Sequence, residues 1–243
     1  MTGVLGTRAD RLRRLTDDLA GAADPDPELI HQIRVAARRL QAALSVFRPL
    51  ADLPPAVRVS RIRRVERRLG GLRDLDVLAG SLLPGELPSL SAEAGADLTR
   101  LRQVLLQERD PALRRARRAV TRTGYERALR ALRTWLDAPE FSPAAMHPAT
   151  EVAPDLVFPS FARVLLDRAW WTETIPAPDD PAAKVLHRLR RRIKALRYRA
   201  ECLSGCYGDS LTSWLQRLHA IQNGLGQYHD GAVLLGRLGE GSG

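Results

Sequence analysis

Apolar residues recur every three or four positions along nearly the whole chain, and alternating runs rich in Val, Ile and Thr do not occur. The spacing predicts amphipathic helices and an all-α fold. Proline and glycine punctuation places the helices near 5–22, 27–50, 56–80, 90–108, 112–137, 158–174, 181–206 and 210–238. Breaks are expected at Pro25/Pro27, Pro54/Pro55, Pro84/Pro88, Pro111, Pro139/Pro143 and Pro176/Pro178/Pro181. The stretch 138–157 has four prolines and little helical periodicity, so it reads as a long connection.

The pattern repeats itself. At a fixed offset of 156 residues, His31, Arg34, Arg38, Leu40, Gly70, Asp74 and Val77 fall on His187, Arg190, Lys194, Leu196, Gly226, Asp230 and Val233 with no gap. Two copies at so long a period point to duplicated helical halves facing each other rather than to a solenoid. The offset pairs the second and third helices with the seventh and eighth, and loosely the first with the sixth. The fourth and fifth are then closing helices, which suggests lobes at 1–110 and 111–243.

Charge sharpens this picture. The 243 residues carry a formal net charge of +10, and the only lysines among 38 basic residues are Lys184 and Lys194. Planar guanidinium groups grip phosphate in pairs of hydrogen bonds, so polyanionic partners are favoured. Cys202 and Cys206 supply half a zinc site at most and read as small, partly buried thiols. No apolar run is long enough to span a membrane and the first residues lack a signal-peptide core, so the expected location is cytoplasmic.

On the second helix Ile33, Ala37, Leu40, Leu44 and Phe47 form one apolar stripe, repeated by Leu189, Ile193, Leu196, Ala200 and Leu203. His31, Arg34 and Arg38 share another face, as do His187, Arg190, Lys194 and Arg197. From 29 to 51 there is no Asp or Glu, and from 181 to 200 eight basic residues, Arg191 among them, stand without an acid. Like charges at helical spacing repel, so an external anion that relieves them twice makes sense. The third helix adds Arg63, Arg67 and Arg73 around the lone Glu66, with Arg73 expected to point inward or into a seam. His229 takes the place of Arg73 in the second copy. Asp74 and Asp230 are placed to orient a neighbouring helix's Arg or His, and Gly70 and Gly226 suggest close approach of helix backbones.

The blocks His31-x-x-Arg34-x-x-x-Arg38-Arg39-Leu40, Leu69-Gly70-x-x-Arg73-Asp74-x-Asp76-Val77, His187-x-x-Arg190-x-x-x-Lys194-x-x-Arg197-Tyr198 and Leu225-Gly226-x-x-His229-Asp230 resemble the CHAD family, the conserved histidine α-helical domain. The resemblance implies two four-helix bundles with pseudo-twofold symmetry around a basic central pore, and binding of inorganic polyphosphate. It gives the family's basic roles to His31, Arg34, Arg38, Arg39, Arg73, His187, Arg190, Lys194 and Arg197. Gln41 stands where the second copy has Arg197, so the halves are not identical. A stand-alone, non-catalytic module at polyphosphate granules is the expected form, with neither cofactor nor metal.

Two other readings compete. A phosphatase or phosphotransferase could use histidine nucleophiles and arginine clamps, but Asp74 and Asp76 point about 200° apart on a helix and cannot share a magnesium ion, and no P-loop pattern occurs. A nucleic-acid binder would interleave aromatic and basic residues. Only Tyr198 does so, while Trp135, Trp170, Trp171 and Trp214 lie in bundle-like positions.

Overall fold

The structure is a computed structural model that describes residues 1–81, 92–177, 180 and 183–240, with the backbone alone for 81, 92–94 and 229–240. Among the described residues there is no strand. The helices are α1 (Thr2–Gly21), α2 (Pro27–Phe47), α3 (Val59–Ser81), α4 (Ala92–Val120), α5 (Thr123–Asp137), α6 (Ala149–Leu165), α7 (Ala183–Ala200) and α8 (Ser204–Glu240). Contacts divide the chain into two units, Met1–Ser45 with Asp52–Glu140, and Val46–Ala51 with Phe141–Gly243. The first unit holds α1, α3, α4, α5 and most of α2; the second holds α6, α7 and α8.

In the first unit α4 lies along α3, and α1 packs on α5. Leu5, Leu12, Leu19, Ile33, Leu40, Ile62, Leu69, Leu72 and Leu132 are fully buried. Each such side chain contributes about 1.5–3 kcal/mol through removal from water. Helix α2 starts as its sequence predicts: the Asp26 carboxylate accepts from the Glu28 N–H at 2.7 Å, and Pro27 occupies the first turn, where its missing donor costs nothing. The loop before it is strapped by α4. Arg109 donates to Asp76, Asp24 and the Pro25 carbonyl, each at 2.7 Å, and Arg117 donates to the Ala22 and Ala23 carbonyls. Tyr125 meets the Thr16 hydroxyl at 3.3 Å, and burial pushes its phenol up to about 12.

Proline proved a poor guide to two boundaries. The expected break at Pro111 does not exist; α4 continues through it to Val120. The lost hydrogen bond costs about 3 kcal/mol, and burial of Leu105, Ala112, Leu113, Ala116 and Ala119 along the same helix offsets it. The suggested division near 110 therefore falls inside a helix, whereas contacts divide the chain at 140/141. The break lies at Arg122, whose backbone is extended. Similarly, the stretch read as a connection up to 157 contains the first half of α6, which runs through Pro154 and Pro159. Its buried Ala153, Ser160 and Val164 face α7 at helical spacing. The expected breaks at Pro84/Pro88 and Pro178/Pro181 lie outside the described residues.

The core of the second unit joins Val164, Ala169, Leu189, Ile193, Leu196 and Leu218. Helix α8 kinks at Gly208, whose φ of 55° is the left-handed conformation that glycine adopts without strain. On the outer side of α6, Phe158, Phe161 and Trp214 stack at 6.5 and 6.3 Å and line an apolar cleft of about 230 Å³. Trp135 is buried as expected, but Trp170 and Trp171 are 47% and 80% exposed, so they are not bundle positions.

Candidate functional site

The basic face of α2 meets two acids of α3, Glu66 and Asp74. The Arg38 guanidinium places both Nε and Nη2 at 2.8 Å from the same Glu66 carboxylate oxygen, and Arg34 Nη2 lies 3.9 Å from that oxygen. Arg34 also approaches Asp74 at 3.6 Å and donates from Nη1 to the Gly70 carbonyl at 3.1 Å. Burial, followed by Arg38 beside it, holds Arg34 below the ordinary arginine value, against the pull of Asp74 and Glu66. It remains a cation, since arginine does not deprotonate in proteins.

Gly70 has a specific use here. A Cβ on it would stand 3.8–3.9 Å from the Arg34 guanidinium, and one on Gly226 would stand 3.4 Å from Arg190 Nη2. The expected close approach of helix backbones is thus replaced by a different contact: in each unit an arginine lies flat on a bare stretch of helix. The repeat has preserved a guanidinium seat, with the arginine on one helix and the glycine on the next.

In the second unit the α7 arginines sort themselves by flank. Arg188 and Arg192 turn to Asp167, at 3.3 and 2.7 Å, and Asp167 also caps the following turn by accepting from the Ala169 N–H at 3.0 Å. Asp167 is completely buried. Burial alone would raise its carboxyl, but the Ala169 N–H and the two arginines outweigh it and hold the group below its usual range. Arg199 donates to the Ser160 hydroxyl at 2.5 Å. On the opposite flank Arg190 lies on Gly226, with its Nε buried and unpaired among the described residues. Arg197 donates to Gln222 at 3.2 Å and to Glu201 at 2.6 Å, and stacks on Tyr198 with 4.6 Å to the ring centre.

The remaining sequence candidates distribute around these seats. His31 is exposed and His187 half-buried, each near the start of its helix. Arg63 and Arg67 are exposed on the α3 face that carries Glu66, Gly70 and Asp74. Arg73 is half-buried at the edge of the same face, rather than directed into the apolar stripe, because it sits about 70° from the stripe's centre. Arg39 is half-buried and its carbonyl accepts from Arg8 at 2.8 Å. Arg191 is exposed, and Lys194 is half-buried one turn beyond Arg190. The side chains of His229 and Asp230 lie outside the described residues, although α8 passes through both positions. Asp76 does not join Asp74: it is buried and bonded to Arg109 at 2.7 Å, while Asp74 faces outward with 70% of its side chain exposed.

The residue that sequence reasoning left aside is Glu66. It was a single acid on a basic helix, yet it takes up two ridge arginines. Its counterpart at the 156-residue offset is Gln222, which also contacts an α7 arginine. Projecting the repeat onto the acids as well as the bases would have found both. Asp167 had no such signal, because it reaches α7 from the far end of another helix.

The sequence profile of the CHAD domain matches residues 6–239, nearly the whole chain and both guanidinium seats. The chain belongs to the CHAD domain family. A crystal structure of the CHAD domain from the plant Ricinus communis matches with a TM-score of 0.72 at 28% identity, covering 98% of this chain and 75% of that one. PptA from Streptomyces chartreusis matches with a TM-score of 0.55 at 20% identity over 94% of this chain and 93% of that chain, a likeness of fold alone. No curated protein sequence matches. In this CHAD domain no helix among the described residues is long and apolar enough to cross a membrane.

Proposed function

We propose that this CHAD domain is a non-catalytic module that binds inorganic polyphosphate through its two basic ridges. One observation carries the reading: the guanidinium seat is built twice, Arg34 on Gly70 and Arg190 on Gly226, each amid further cations. In the first unit those cations are Arg38, Arg39, Arg63, Arg67 and Arg73; in the second they are Arg191, Lys194 and Arg197, with His31 and His187 at the helix starts. Arginine forks on rigid helices suit a repeating oxyanion with no bases to read, and binding gains from counterion release. Membership of the family supports the same ligand, since polyphosphate binding is what the resemblance implies. Recruitment to polyphosphate granules in the cytoplasm follows from such an affinity.

A non-catalytic role is favoured by the way the acids are spent. Asp76 is buried against Arg109, and Glu66 is bonded to Arg38, so neither stands ready as a base or metal ligand beside His31. The test is a competition titration at ~150 mM salt, near physiological ionic strength, in which long polyphosphate should displace a labelled polyphosphate far better than DNA of equal charge. Equal displacement by DNA would support the nucleic-acid reading instead. Orthophosphate release dependent on His31 or His187 would establish an enzyme.

A further inference from the structure

We infer that Glu66 is an internal counter-ion that competes with the bound anion for Arg34 and Arg38, and so sets how strongly the first ridge binds. The inference rests on the polyphosphate reading above and adds the residue that tunes it.

Three observations carry it. Glu66 is 16% exposed and accepts from Arg38 Nε and Nη2 through one oxygen, Oε1, which also lies 3.9 Å from Arg34. A single carboxylate oxygen thus sits where a phosphate oxygen would bridge two guanidinium groups. The same face of α3 presents Arg63 and Arg67 in solvent with no ion pair among the described residues, so Glu66 and the outward-facing Asp74 are acids set in a positive field, and of the two Glu66 is the one bonded to Arg38. In the second unit Gln222 holds the equivalent position, contacts Arg197 through its neutral amide oxygen, and brings no charge. Among the described residues the one acid that pairs with an α7 ridge arginine there, Glu201, takes Arg197, and both positions are uncharged in the first copy, Gln41 and Ser45.

An incoming polyanion must therefore either displace Glu66 from Arg38 or bind around it. Glutamine at this position keeps the shape and an acceptor oxygen while removing the competitor. The opposite change in the second unit introduces one. The alternative is that Glu66 holds Arg38 in a productive pose, and it predicts the reverse sign.

The experiment measures binding of polyphosphate of defined length to wild type, Glu66→Gln, Gln222→Glu and Asp17→Asn at several salt concentrations. Asp17 is an exposed acid on α1 whose ion pair among the described residues is with Arg13, and it controls for net charge. Glu66→Gln should bind about 3- to 10-fold more tightly, with a salt slope steeper by about one counterion, because the freed arginine can meet an anionic oxygen. Gln222→Glu should bind more weakly by a similar factor, and Asp17→Asn should change affinity less than about 2-fold, as expected of an exposed pair. Unchanged or weaker binding by Glu66→Gln, or an equal gain from Asp17→Asn, overturns the inference. If wild type itself takes up no polyphosphate, the functional reading falls with it.

Discussion

Arg188 and Arg192 stand on one flank of α7 and converge on the buried Asp167, while Arg190 stands on the other, laid on Gly226, and Arg191 points to solvent between the two flanks. All four belong to the same stretch of α7, which contains no acid. What separates them is an acid about 20 residues upstream that the helix's own sequence does not contain. A basic helix can therefore be half strut and half binding surface, and charge counted along the chain overstates the surface. On the other flank Arg190 meets no carboxylate among the described side chains, whereas Arg197 is bonded to Glu201.

The largest effect should come from breaking the strut. In Arg188→Ala/Arg192→Ala, the Asp167 carboxylate, at zero exposure in the intact protein, keeps only the Ala169 N–H, and urea denaturation should show a loss of about 3 kcal/mol. Asp167→Asn should cost less, about 1–3 kcal/mol, because the arginines are 44% and 37% exposed and can turn to water.

Breaking the ridge should show the converse. Arg190→Ala/Lys194→Ala should lower polyphosphate affinity about 10- to 100-fold at low salt and flatten the salt slope by about two, since two phosphate-neutralising cations are lost. Its unfolding free energy should fall by less than the strut variant's in the same urea experiment, because the two half-buried side chains cover no fully buried carboxylate among the described residues.

Acid separates the flanks as well. The Asp167 carboxyl is held below its ordinary value, so its contribution to stability is complete above the unfolded value of about 4 and disappears as pH falls through the depressed folded one. Unfolding followed from pH 6 downward should show a steeper acid limb in wild type than in Asp167→Asn.

The smallest change concerns the seats. Gly226→Ala gains up to about 1 kcal/mol of helix propensity and brings a methyl group to 3.4 Å from Arg190, the near edge of ordinary contact with a flexible side chain. Affinity should change less than about 2-fold, with thermal stability raised. Gly70→Ala, with 3.8 Å of room, should change it no more.

Much of this was written in the periodicity. The stripes Ile33–Phe47 and Leu189–Leu203 are buried as the 3.6-residue wheel requires, and Gly208, in the gap expected between 206 and 210, is where α8 kinks, although α8 itself begins earlier, at Ser204. Helix ends at Pro111 and Pro154 were misplaced because proline's local cost is smaller than the burial a packed helix gains. At the site, the sequence placed the cations on the right helices, but it could not say which would be neutralised. Glu66 and Asp167 reach their arginines from other helices, and such pairings depend on how helices pack. The glycines were read as marks of helix approach because a flat guanidinium and a neighbouring backbone ask for the same missing Cβ.

The most direct measurement compares two single, charge-matched changes on α7 by titration with long polyphosphate at ~150 mM salt. Arg190→Ala, on the ridge, should weaken binding about 3- to 10-fold, while Arg188→Ala, on the strut, should change it less than about 2-fold once the protein is shown to be folded. Equal losses from the two would mean that net charge, and not the ridge, governs binding.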